Sequence, residues 1–244
     1  MGNGSTAVKE AEIESLPLLK GLSASARADL LEHAVVHRVA PGTVLLEQGE
    51  LPNFQHIVLT GSIQLFGKSS EGREVLIEVV EPPDLVIPAA VVTGSPYLME
   101  GRVLEPSRFL LIHAAAFRAA VLREPALAQA MIVSLAGQFR RMVRQIKNLK
   151  LRSSTQRVGC YVLALARRQG TADQVILPYE KNLIASQLGI TRESFSRALT
   201  ALQRDGIAVQ GDTIRIFDAK RLAAACGPDP LIDPDEGTID NPGA

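Results

Sequence analysis

The segment ITRESFSRALTAL, Ile190 to Leu202, sets three charged side chains and two hydroxyls on one side of a helix. Arg192, Glu193, Ser196, Arg197 and Thr200 share that side. Phe195, Leu199 and Leu202, at i, i+4 and i+7, make the other. An arginine can donate two hydrogen bonds to guanine O6 and N7, and a glutamate can accept one from cytosine N4. A serine or threonine beside them can touch a phosphate or a thymine methyl. A merely solvated face would be held by local ion pairs worth only about 0.2–0.5 kcal/mol each. The surrounding elements decide between the two readings.

KNLIASQLG comes just before. Ile184 and Leu188 form an apolar face there, and Ala185 is small enough for a second helix to cross closely. Gly189 supplies a turn, and Thr191 offers an N-cap oxygen to a helix that starts at Arg192. Helix, glycine turn and helix make a helix-turn-helix. GIAVQGDTIRIFD follows as two strands about Gln210-Gly211-Asp212, a wing. In such a unit the second helix enters the major groove and presents its N-terminal residues to base edges. Thr191, Arg192, Glu193, Ser196, Arg197 and Thr200 are therefore the expected DNA contacts.

A long helix is expected after Pro125. Ala128, Ile132, Leu135, Phe139, Met142, Ile146 and Leu149 recur at alternating spacings of 4 and 3, a narrow seam that suits a partner helix and points to a homodimer. LRSSTQ reads as a hinge, with Ser153 or Ser154 capping a helix that carries RVGCYVLALARRQG and a buried structural Cys160. Upstream, SASARADLLEHA reads as a short helix capped by Ser23 or Ser25. HAVVHRVAPGTVLLEQGE, FQHIVLTGSIQLFG, REVLIEVVE and GRVLEPSRFLLI then read as strands between Gly, Pro and Ser turns. The fold class is α+β. An antiparallel β-roll or jelly roll occupies 1–124, a dimerisation helix 125–152 and a winged helix-turn-helix 153–226. The Pro-, Gly- and Asp-rich 227–244 is expected to be a disordered acidic tail.

The bulk numbers agree. Of 244 residues, 46% are apolar and 21% charged, and the net charge is zero. That zero conceals an asymmetry. Residues 1–124 carry 10 Lys/Arg against 15 Asp/Glu, whereas 125–226 carry 16 against 6. A basic half joined to an acidic one fits nucleic-acid contact. Two cysteines exclude a disulfide framework or a four-cysteine iron–sulfur cluster and fit a reducing cytoplasm. MGNGSTAVKEAEIE shows no secretory pattern, and His113 and Arg118 interrupt LLIHAAAFRAAVLR, so neither export nor a membrane span is expected. No phosphate-binding glycine loop, Ser/His/Asp order or metal-ligand spacing points to an enzyme. The remaining alternative is a ligand-binding regulatory subunit that acts on a protein partner.

Several of these motifs resemble the cyclic-AMP receptor and fumarate-nitrate regulator superfamily of bacterial transcription factors, over residues 15–222. PLLKGLS, Gly42 and Gly49 of PGTVLLEQGE and Gly61 of LTGSIQL sit where that family's β-roll has them, and TRESFSRAL resembles its recognition helix. The resemblance places Arg192, Glu193 and Arg197 on base-reading positions. The set Glu193, Ser196, Arg197 is similar to the fumarate-nitrate branch and implies TTGA-type half-sites. It also implies an activator that touches RNA polymerase. Cyclic-AMP binders of the family carry a Gly-Glu pair on the ribose and an Arg-Ser pair on the phosphate. Here those positions hold Ile87-Pro88 and Tyr97-Leu98, and Met142-Val143 replaces the hydroxyls on the dimer helix. A cyclic phosphate would lie there without a cationic partner, so cyclic AMP is not the expected ligand. The apolar replacement pocket would be lined by Ile87, Pro88, Val91, Tyr97, Leu98 and Met142. LPYEKNLIASQLG followed by ESFSR also resembles the haem-dependent denitrification regulators. That branch would make His33, His37, His56 and His113 the candidate haem ligands.

Overall fold

The computed structural model describes Ile13, residues 16–32 and residues 34–233. The chain divides into two compact units, one ending at Ala136 and one beginning at Gly137.

Apolar runs broken by turns fold the first unit into two antiparallel four-stranded sheets. One contains β1 (Ala34–Val39), β3 (Phe54–Thr60), β6 (Leu85–Val86) and β8 (Ser107–His113), in the order β1-β8-β3-β6. The other contains β2 (Val44–Leu46), β4 (Ile63–Lys68), β5 (Glu74–Val80) and β7 (Glu100–Val103), in the order β2-β7-β4-β5. Register assigns the faces. Val58 opposes Phe109 and His56 opposes Leu111, so these side chains share one face. Val58 and Phe109 are packed with Leu46, Ile63, Leu65 and Val103 of the second sheet. Ile57 and Leu59 point the other way, into a core shared with α1 (Ala24–Glu32), α2 (Pro88–Thr93), α3 (Ala114–Arg123) and the start of α4 (Pro125–Leu151). Strand β3 is covered on both faces, which is why FQHIVLT shows no polar alternation. The turn after it requires glycine. Gly61 has φ +78°, and a Cβ there would lie 2.2 Å from Ser107 Oγ. Ser23 caps α1, its Oγ accepting from the Ala26 N–H at 3.2 Å.

The second unit holds the rest of α4, then α5 (Ser154–Arg168), α6 (Lys181–Gln187), α7 (Arg192–Leu202) and α8 (Ala219–Cys226). Its small sheet has the order β10-β11-β9, with β10 at Ile207–Gln210, β11 at Thr213–Ile216 and β9 at Gln174–Ile176. Helix α5 starts in a capping box: Ser153 Oγ accepts from the Gln156 N–H at 3.3 Å, and Gln156 Oε1 accepts from the Ser153 N–H at 2.9 Å. Val158, Leu165, Ile184, Phe195, Leu202, Ile214 and Leu222 build the core. Cys160 and Cys226 lie within it, and burial pushes their thiols up to about 11 and about 12, as inert structural cysteines require.

Three sequence expectations are revised. The units part inside α4 rather than at Pro125, because Leu127 and Met131 are buried in the helical core of the first unit. Leu135 is partly buried against that core, so only part of its surface is left for the seam. The other seam residues, Ile132, Phe139, Met142, Ile146 and Leu149, are between 41% and 67% exposed. Finally, 227–233 is not a disordered tail. The Ile232 and Asp233 N–H groups both donate to the Asp229 carbonyl, and Asp233 pairs with Arg152. Charge holds this segment where its composition offers too little apolar surface. The remainder of the expected tail, 234–244, lies outside the described residues. Among the described residues no single helix is long and apolar enough to cross a membrane.

Candidate nucleic-acid interface

Helix α7 is fixed from beneath and capped from above. Phe195, Ala198, Leu199 and Leu202 are all buried on its inner face, and each fully buried large side chain contributes about 1.5–3 kcal/mol. Thr191 is the N-cap, with extended backbone and its Oγ1 accepting from the Ser194 N–H at 3.2 Å. The turn before it depends on Gly189. Its φ is +64°, and a Cβ there would lie 2.6 Å from Leu149 Cδ2, so the glycine provides both the conformation and the space.

Every expected DNA contact on this helix is exposed: Thr191, Arg192, Glu193, Ser196, Arg197 and Thr200. Their chemistry differs in readiness. A hydrogen bond from its own backbone N–H, then one from the Thr191 hydroxyl, and the charges of Arg192 and Arg197 hold the Glu193 carboxyl below the usual carboxylate range. At neutral pH it is an anion ready to accept. Thr200 Oγ1 donates to the Ser196 carbonyl at 3.1 Å, so its proton is committed inside the helix. Sequence reading passed over Ser194, whose Oγ accepts from Arg197 Nη2 at 3.2 Å and so steadies the guanidinium. The spacing i, i+3 was the available signal. The wing turn is tied to the first helix of the motif, since Lys181 Nζ donates to the Gly211 carbonyl at 2.7 Å.

The first unit treats its candidate residues differently. Ile87 has φ +43°, a left-handed backbone that favours glycine, and it precedes Pro88 at the start of α2. The backbone keeps a glycine-like bend, while Pro88 removes an N–H from it. Arg102, the first basic residue after Tyr97-Leu98, is engaged by side chains of its own sheet. It pairs with Glu100 at 2.5 Å and Glu74 at 3.3 Å and stacks over the Phe66 ring. Burial alone would raise the Glu100 carboxyl, but hydrogen bonds from Lys68 and Arg102 outweigh it and hold it low.

The expected pocket does not assemble around these residues. Val91 is buried in the helical core, Tyr97 is buried between the sheets with its hydroxyl donating to the Phe54 carbonyl at 3.4 Å, and Leu98 is 81% exposed. Met142 belongs to the second unit and is exposed there. Alternation along a strand says which residues share a face, but not which of two layers that face meets.

Nor do the described histidines fit a haem. His37 and His113 are exposed, while His56 is packed inside the roll beside Phe54, with burial and the nearby His37 lowering its pKa to about 4. His33 lies outside the described residues. Among the described residues no group of three or more His, Cys, Asp or Glu is placed to hold a metal ion.

A two-layered roll of the cyclic-nucleotide-binding kind, joined to a winged helix-turn-helix with an exposed polar recognition helix, defines a DNA-binding transcription regulator. Comparison with known proteins agrees. Residues 36–124 match the cyclic nucleotide-binding domain family, and residues 156–225 match the Crp-like helix-turn-helix domain family. The chain is 24% identical over 211 residues to the CRP-like cAMP-activated global transcriptional regulator of Mycobacterium tuberculosis, covering 84% of this chain and 94% of that one. It is also 24% identical over 191 residues to the transcriptional activator protein FnrA of Stutzerimonas stutzeri, covering 76% and 78%. The solved structure of FixK2 from Bradyrhizobium japonicum shares the fold, with a TM-score of 0.65 at 21% identity over 78% of this chain and 96% of that one. The chain belongs to the cyclic-AMP receptor/fumarate-nitrate regulator superfamily of transcription regulators, whose members matched here are not enzymes.

Proposed function

We propose that this regulator acts as a homodimer that reads a TTGA-type inverted repeat, with half-site centres about 10 bp apart. The observation that carries the reading is the exposure of Arg192, Glu193, Ser196 and Arg197 on the first turns of a helix whose other face is anchored in the core. Ile132, Phe139, Met142, Ile146 and Leu149 supply the apolar stripe that a second copy covers. The first unit does not take cyclic AMP as its signal. In support of this, Ile87-Pro88 offers one fewer backbone donor, Tyr97 is packed away, and Arg102 is engaged by two carboxylates. By analogy with the FnrA relative the regulator is an activator; the family resemblance adds the cytoplasm as its place of action and RNA polymerase as a further partner.

The test is fluorescence anisotropy on a TTGA palindrome and a scrambled duplex. Arg197→Ala removes one bidentate contact per protomer, each worth about 1–3 kcal/mol, so the dimer's specific affinity should fall by roughly a hundredfold. Binding to both duplexes should weaken steeply as salt rises. Millimolar cyclic AMP should leave the wild-type affinity unchanged. Unaltered specific affinity in Arg197→Ala removes the recognition-helix assignment. A protein with no salt-dependent DNA binding is instead a regulatory subunit for a protein partner.

A further inference from the structure

The junction between α4 and α5 holds a polar cluster that neither the recognition helix nor the apolar seam uses. Arg152 stands at this junction with its side chain only 5% exposed. Its Nη1 and Nη2 donate to Asp233 Oδ1 and Oδ2 at 2.9 and 2.5 Å, a two-pronged pair with a carboxylate that is itself only 13% exposed. Nη1 also reaches Asn148 Oδ1 in the last turn of α4 at 3.2 Å, and Nη2 reaches the Gly227 carbonyl just past α8 at 3.4 Å. One guanidinium thus joins the end of α4, the end of α8 and the segment after it.

That segment is shaped to hold the carboxylate in place. The Asp229 carbonyl accepts from the Ile232 and Asp233 N–H groups at 2.8 and 2.7 Å, and the Asp229 N–H donates to Asp233 Oδ2 at 3.1 Å. Asp229 also meets Lys147 of α4 at 3.7 Å. Leu231 is 71% exposed, so charge rather than apolar burial is what docks these residues. A second hold lies nearby, where Leu149 occupies the space that Gly189 leaves free, at the turn preceding the recognition helix. The last turns of α4 are therefore gripped by the helix-turn-helix through Leu149 and by residues 227–233 through Lys147 directly and through Asn148 by way of Arg152.

We propose that Gly227–Asp233 is a strap that fixes the recognition helix relative to the end of α4, with Arg152 and Asp233 as positioning residues for DNA binding. The inference rests on the DNA-binding reading above for its functional consequence, but not for the strap itself. In a dimer, the direction in which each α4 ends sets the separation of the two recognition helices, so a slack joint blurs the spacing the dimer prefers. Losing either partner also leaves the other charge buried and uncompensated, which loosens the joint further.

Two readouts on the full-length protein test this. The first is native trypsin cleavage after Arg152. Asp233→Asn keeps the shape and removes the charge, and it should be cut roughly tenfold faster than wild type, the scale of a broken coupled pair. The second is affinity for a series of TTGA palindromes whose spacers differ by one base pair. Wild type should favour one spacing, whereas Asp233→Asn should bind that spacing roughly tenfold more weakly and bind the scrambled duplex unchanged. Asp233→Glu should restore both readouts. Unchanged cleavage in Asp233→Asn overturns the strap. Faster cleavage with an unchanged spacing profile overturns its positioning role. If wild type binds no palindrome specifically, the DNA reading fails and the cleavage rates still decide whether the strap exists.

Discussion

Helix α7 and the bend before α2 each keep a backbone shape suited to binding, yet they differ in what they present. At α7 the cap, the glycine turn and the buried face hold a row of polar side chains toward solvent. At the start of α2 the left-handed bend survives at Ile87, but isoleucine and proline occupy it and the aromatic that follows is packed into the core. The shape of a site and its chemistry are separable. A left-handed bend can be held by the surrounding sheets whatever side chains occupy it. In the recognition helix the polar groups themselves are in place, and so the second unit carries the firmer functional statement.

The contrast can be attacked through stability as well as binding. The largest effect is expected at the anchor of α7. Phe195→Ala empties a fully buried site and should cost about 3–5 kcal/mol in the urea unfolding of the second unit, leaving the first unit's transition in place. Next comes acid. His56 titrates near 6.5 when unfolded and near 4 when folded, so the unfolded chain binds more protons between those values. The stability it confers is complete above pH 6.5, falls as pH drops through that window, and is lost below about 4. The total is roughly 3 kcal/mol, and His56→Leu should flatten the dependence in melts between pH 7 and 4. Thr191→Ala should cost the second unit about 1 kcal/mol through the lost cap. The smallest change sharpens the comparison most. At Ile87 the relief of a left-handed β-branched residue offsets its lost contacts, so Ile87→Gly should alter stability by less than about 1 kcal/mol. A much larger loss in thermal melts would mean that the bend is not strained.

The recognition helix was legible because everything that defines it is local. Thr191, the acidic and basic residues and the apolar stripe lie within twelve positions, and helical spacing alone sorts them. The apolar stripe along α4 was legible for the same reason, although the pattern could not say that the sheet's helical core would partly cover Leu135. The strap was not legible. Arg152 and Asp233 are 81 positions apart, and the Pro- and Asp-rich segment carrying Asp233 reads as disordered by the apolar criterion that charge pairing bypasses. Strand β9 also escaped, since a three-residue element with one buried position is too short to show alternation. The pocket of Val91, Tyr97 and Leu98 was misjudged because their neighbours come from distant strands, and burial depth is set by which sheet lies opposite.

The central claim, that α7 reads a specific duplex sequence as one half of a dimer, is tested most directly by selecting binding sites from a pool of random DNA duplexes. Wild type should enrich TTGA with its inverted copy TCAA, centred about 10 bp apart, and Arg197→Ala should not. A pool with no enriched word, or one that Arg197→Ala enriches equally well, would contradict it.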